Sequence, residues 1–117
     1  MHKLVILIEP PQDDDAFDEI WPQFLRLAES MPGLKRESTS RVDGILFGRY
    51  DIALIHELYF ESLTSLKDAM SSPQGQATGE LLQRMTGGRL TLLYTDHKED
   101  DLENIHKFRK QDSVNES

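Results

Sequence analysis

Residues 52 to 69, IALIHELYFESLTSLKDA, constrain this chain more than any other stretch. They read as a strand that runs straight into a helix. Ile52, Leu54, Leu58 and Phe60 fall at even positions, the period of a strand with one face in a core. His56 shares that face, while Ala53, Ile55, Glu57 and Tyr59 occupy the other. An acid and a phenol on a half-apolar face suit a lined cavity or a wet interface better than open solvent. Ser62 then caps a helix whose inward residues are Leu63, Leu66, Ala69 and Met70.

The rest of the chain supplies partners for this unit. KLVILIE, residues 3 to 9, is a near-continuous apolar run ended by Pro10 and Pro11, as in a central strand buried on both faces. Asp13, Asp14 and Asp15 open a helix, where acids offset the positive end of its dipole. Phe17, Ile20, Trp21, Phe24, Ala28 and Met31 follow as one apolar stripe. Pro22 removes a backbone hydrogen bond inside it and is expected to kink it. Pro32 and Gly33 stop it. LKRESTSRV, residues 34 to 42, is polar enough for an edge strand. DGILFGRY, residues 43 to 50, is a loop with an apolar tip. Ser72-Pro73 starts another helix, with Ala77, Leu81 and Met85 inward, and Gly87-Gly88 ends it. RLTLLYT, residues 89 to 95, is the last strand.

The order β-α-β-β-α(α)-β is the ferredoxin-like plan, an α+β fold with a four-stranded antiparallel sheet and helices on one face. The domain spans residues 1–96, and 97–117 form a polar tail, with DDLENIHKFRK expected as a short helix and Gln111 to Ser117 frayed. One sheet face lacks a cover. A second copy meeting it there would close a dimeric α/β barrel, so a homodimer through the open sheet face is expected.

A net charge of −8 argues against nucleic acid and anionic membrane as partners, because both demand clustered Lys and Arg. The absence of Cys removes disulfides, thiolate catalysis and Cys-ligated metals. No apolar run approaches a membrane span, and the first residues lack a signal-peptide pattern. A cytoplasmic protein is expected.

The opening KLVILI, MPGL at 31 to 34, HELYFESLTSLKDAMSSPQGQA at 56 to 77 and the TGG turn together resemble the EthD-like family, named for ethyl tert-butyl ether degradation. The resemblance covers residues 1 to about 96. It implies a ferredoxin-like homodimer of the dimeric α/β barrel superfamily, with a cavity between sheet and helices. Relatives in that superfamily include small monooxygenases, isomerases, polyketide cyclases and haem-handling proteins. Relatives often carry His-x-Pro in the first helix. Counting back from Pro32 places Phe24 and Arg26 at those positions, so no site residue carries over from that motif.

His56, Glu57 and Tyr59 are the catalytic candidates. His56 is either a hydrogen-bonded core histidine or an acid–base group near neutral pH; as a weaker alternative it would ligate haem. HELYF lacks the second His of a zinc helix. Glu57 and Tyr59 either bond across the dimer interface or form a site in which burial raises the Glu57 pKa and Tyr59 orients the substrate. Tyr94 and Arg41 join them if the register allows. Trp21 and Phe24 are core first and a pocket wall second; Phe47 and Tyr50 belong to a lid or a partner contact. Asp13, Asp14, Asp15 and Asp18 read as helix capping, and no metal or cofactor is expected. The expected function is binding or transforming a small apolar oxygenated compound by monooxygenase-like or isomerase/cyclase-like chemistry, independent of cofactor. The alternative is a non-catalytic dimeric accessory module.

Overall fold

A computed structural model describes residues 1–102. Its elements are β1 (His2–Ile8), α1 (Asp14–Glu29), β2 (Arg36–Arg41), β3 (Leu54–Phe60), α2 (Leu63–Ser71), α3 (Pro73–Thr86) and β4 (Leu90–Asp96). From residue 103 onward the expected tail helix lies outside the described residues.

The sheet order is β2-β3-β1-β4, antiparallel throughout. The fold is the expected ferredoxin-like α+β arrangement. The most apolar strand, β1, is central: β3 and β4 flank it, Leu4, Ile6 and Ile8 face the helices, and Val5 and Leu7 face the open side. Its Leu4, Ile6 and Ile8 meet Leu58, His56 and Leu54 of β3 in register. This layer is buried against Phe24 and Ala28 of α1, Leu66 and Ala69 of α2, and Leu81, Leu82 and Met85 of α3. The polar strand β2 lies at an edge, where Arg, Glu and Ser discourage further pairing.

Local chemistry sets the helix ends. The Asp13 carboxylate caps α1 by accepting from the Ala16 N–H. Ser62 does the same for α2 through Ser65 N–H. The Ser72 hydroxyl accepts from Gly75 N–H and donates to Ala69 C=O, so it closes α2 and opens α3. Pro73 fills the first position of α3, and Gly87 ends it in the left-handed region at φ 62°. Pro22 sits inside α1, which nevertheless runs unbroken from Asp14 to Glu29. None of the described helices is long and apolar enough to cross a membrane.

Candidate functional site

His56 and Glu57 are neighbours in sequence but occupy opposite faces of β3. On the helix side, His56 is fully buried. Trp21 and Phe24 of α1 close over its ring, each edge-on with centroids 5.4 Å away. Its Nδ1 lies 2.8 Å from the Thr39 hydroxyl and its Nε2 lies 3.2 Å from Glu37 Oε2. Thr39 is the direct register partner of His56, and Glu37 is its diagonal neighbour. Glu29, at the end of α1, adds a second carboxyl beside Glu37.

The electrostatics follow from this burial. Desolvation pushes the His56 imidazole down to about 4, although the charges of Glu29 and Glu57 pull the other way. Desolvation also lifts the Glu37 carboxyl to about 7, aided by the hydrogen bond and charge of Glu29. A neutral imidazole beside a carboxyl that titrates near neutrality can hold its proton in two ways. With Glu37 ionised, Nε2–H donates to the carboxylate and Nδ1 accepts from Thr39. With Glu37 protonated, its O–H donates to Nε2 and Nδ1–H donates to Thr39. Both states satisfy every partner without moving a heavy atom.

The open sheet face carries a different cluster. Glu57 forms an ion pair with Lys3, and the Tyr59 hydroxyl donates to Glu57 Oε2 at 3.1 Å. The Arg36 guanidinium stacks over the Tyr59 ring at 4.2 Å, and His97 meets that ring edge-on at 5.4 Å. Burial works against the Glu57 charge, but Lys3 and Tyr59 outweigh it and hold the carboxyl below its ordinary value. The expected raised Glu57 pKa is therefore corrected: the Lys3 ammonium and the Tyr59 hydroxyl stabilise the ionised carboxylate, which makes it a weaker base.

The remaining candidates do not gather in one place. Trp21 and Phe24 line the His56 side. Tyr94 pairs with Leu4 and Arg41 with Leu54, so both belong to the helix-facing side, away from Glu57 and Tyr59. Phe47 stands in solvent with Leu46. Tyr50 is also exposed and lines an open groove of about 730 Å³ with Leu7, Ile52 and Thr91. Between β1 and the α2–α3 pair, a void of about 20 Å³ lies beside Met31, Met70 and Leu82, room for a single water.

Glu29, Glu37 and Thr39 were not singled out in the sequence. One signal for Glu29 existed: it is an acid in the last turn of a helix, where the dipole disfavours negative charge. Among the described residues, no group of three His, Asp or Glu side chains is arranged to hold a metal ion. A haem does not fit His56 either, since both ring nitrogens are engaged and two aromatic rings seal it.

An ethyl tert-butyl ether degradation (EthD) family protein from Bacillus halodurans is 32% identical, with a TM-score of 0.76 over 84% of this chain and 99% of that one. The chain belongs to the EthD family. No protein-family model matches it. An uncharacterised 11.0 kDa protein from the thcB-thcC intergenic region of Rhodococcus erythropolis is 28% identical over 84% of this chain and 96% of its own length. SnoaB, a cofactor-independent oxygenase from Streptomyces nogalater, shares the fold at 11% identity, with a TM-score of 0.62 over 85% of this chain and 94% of that one.

Proposed function

We propose that this EthD family chain works as a homodimer that binds a small apolar oxygenated compound at the His56 side of the sheet and moves a proton on it with side chains alone. The observation that carries this reading is the sealed His56 imidazole, whose hydrogen bond to Glu37 connects the core to a part-exposed carboxyl. Abstraction of a proton is the step that isomerisation, cyclisation and cofactor-independent oxygenation can share. Glu57 and Tyr59, tied to Lys3 on the open face, serve the protomer contact in this reading rather than the chemistry.

Dimerisation is supported by the composition of that open face. Val5, Leu7, Ile55 and Leu93 form its apolar half, and Lys3, Glu57, Tyr59 and Arg36 its polar half. Two copies related by a twofold axis would bury both halves. The test is light scattering after size-exclusion chromatography, combined with thermal-shift measurements against neutral ketones, phenols and ethers. A dimeric mass and saturable stabilisation by one class are expected; a monomer that none of them stabilises would overturn the reading.

A second reading, a non-catalytic dimeric accessory module, is favoured by the small helix-side void beside Met31 and Leu82. It requires the dimer to form and every Glu37 and His56 variant to retain function.

A further inference from the structure

Nothing in the resemblance to other proteins assigns a role to the side chains around His56 on the edge strand, yet they are arranged for one. We propose that Glu37, paired with Glu29 and backed by His56 and Thr39, is the acid–base group of this site, and that the site accepts a neutral carbon or oxygen acid rather than a carboxylate. The inference rests on the reading above and deepens it.

The geometry supports the assignment in three ways. First, Glu37 is the member of the chain that reaches solvent while touching the core: its side chain keeps 26% of its exposure, and His56 keeps none. A substrate can meet Glu37 but not the imidazole. Second, His56 holds the carboxyl from behind at 3.2 Å, Thr39 holds the other nitrogen of that imidazole at 2.8 Å, and both hydrogen bonds can reverse when Glu37 gains or loses its proton. They are positioning residues. Third, Glu29 places a second carboxyl beside the first, so Glu37 retains a proton at a pH where an isolated glutamate has lost it. Among the described residues, the other charged or titratable groups around it are Lys35, which is paired with Glu61 at 3.8 Å, Arg41 at the far end of β2, Arg26 in the last turn of α1, and Tyr94 on the helix-facing side of β4.

The charges also select the substrate. Two neighbouring carboxyl groups repel an incoming carboxylate, whereas the part-exposed Trp21 ring over His56 offers an apolar surface. In the step itself, a C–H or O–H bond of the substrate breaks and its proton bonds to a Glu37 oxygen. The electron pair stays on the substrate as an enolate or phenolate. Return of the proton to another position, or to the same one, regenerates the carboxylate, and no redox partner is needed.

The experiment uses the full chain with ¹⁵N-labelled histidine. From about pH 5.5 to about pH 8.5, the His56 nitrogens are expected to exchange their protonated and unprotonated shifts near neutrality. Glu37→Gln should abolish that exchange, and Glu29→Gln should move its midpoint towards lower pH. In parallel, deuterium incorporation into cyclohexanone in D₂O is followed by NMR, with levulinate as the carboxylate-bearing comparison. Wild type should accelerate exchange of cyclohexanone but not of levulinate, and Glu37→Gln should lose about tenfold or more of the acceleration. A His56 tautomer that never changes, or a Glu37→Gln variant as active as wild type, would overturn the assignment. Saturable cyclohexanone binding without acceleration would also overturn it, while leaving the binding reading in place.

Discussion

Glu37 and His56 carry opposite pH dependences, and separating them tests the cluster without knowledge of its ligand. Folding raises the Glu37 carboxyl from 4.5 to about 7, by burial and then by Glu29. The folded chain therefore keeps a proton that the unfolded chain has released. This contribution is complete below pH 4.5 and is lost as pH climbs to about 7. Folding lowers the His56 imidazole from 6.5 to about 4 by burial. Here the unfolded chain takes up the proton first, so stability is lost as pH falls from 6.5 towards 4. Each pH unit across such a window is worth ~1.4 kcal/mol. The sealed imidazole thus contributes on the order of 3 kcal/mol. Solvent screening of the part-exposed Glu37 reduces its opposing effect to about 1.5 kcal/mol. Urea unfolding followed by the fluorescence of the single tryptophan, Trp21, reads stability beside the imidazole itself. Protomer concentration must be held fixed, because a dimer's stability depends on it. Subtracting wild type cancels the groups common to both proteins. The Glu37→Gln difference should then rise with pH between about 4.5 and 7, and the His56→Gln difference should fall between about 4 and 6.5. Two differences that slope in the same direction would refute the opposed titration of this pair.

Three further outcomes test the frame around the site. Gly75→Ala should destabilise by about 2 kcal/mol or more, because its Cβ would lie 2.1 Å from the Ala69 carbonyl oxygen and 2.7 Å from that of Met70. Gly79→Ala in the same helix meets nothing within 4 Å and should stabilise by about 1 kcal/mol; urea denaturation separates the two. Lys3→Met leaves the largely buried Glu57 carboxylate without its cation and should cost about 2–3 kcal/mol, with Lys3→Met/Glu57→Leu recovering much of the loss in the same assay. Ser72→Ala removes the shared cap of α2 and α3 and should lower stability by about 1 kcal/mol, read as a reduced thermal midpoint.

What was legible in the sequence was whatever neighbouring residues decide. Asp13, Ser62 and Ser72-Pro73 mark helix starts because a cap bonds to an N–H three residues on. The alternation in β3 correctly separates His56 from Glu57 because strand faces alternate by geometry alone. What was not legible depends on register between strands far apart in sequence. Glu37 reaches His56, and Lys3 reaches Glu57, as diagonal cross-strand neighbours. A shift of one residue in either pairing would send these side chains to the opposite face. The loop between β2 and β3 carries no feature that reveals this register. Tyr94 and Arg41 could join Glu57 only if the register allowed, and the register puts them on the helix-facing side.

The two clusters show how one strand can give adjacent titratable residues opposite fates. On the open face Lys3 lies close enough to Glu57 to overcome the penalty of burial, so the carboxyl keeps its charge. On the helix face no Lys or Arg among the described residues pairs with Glu37, and Glu29 adds its charge, so burial and repulsion act together and the carboxyl keeps a proton. A permanently charged, paired carboxylate suits a contact whose partners must not change with pH. A carboxyl that trades its proton near neutrality, held by a neutral imidazole that can switch tautomer, suits chemistry. That contrast, more than the presence of a histidine in the HELYF segment, is the reason to look for a reaction on the helix side of β3 and an interface on the other.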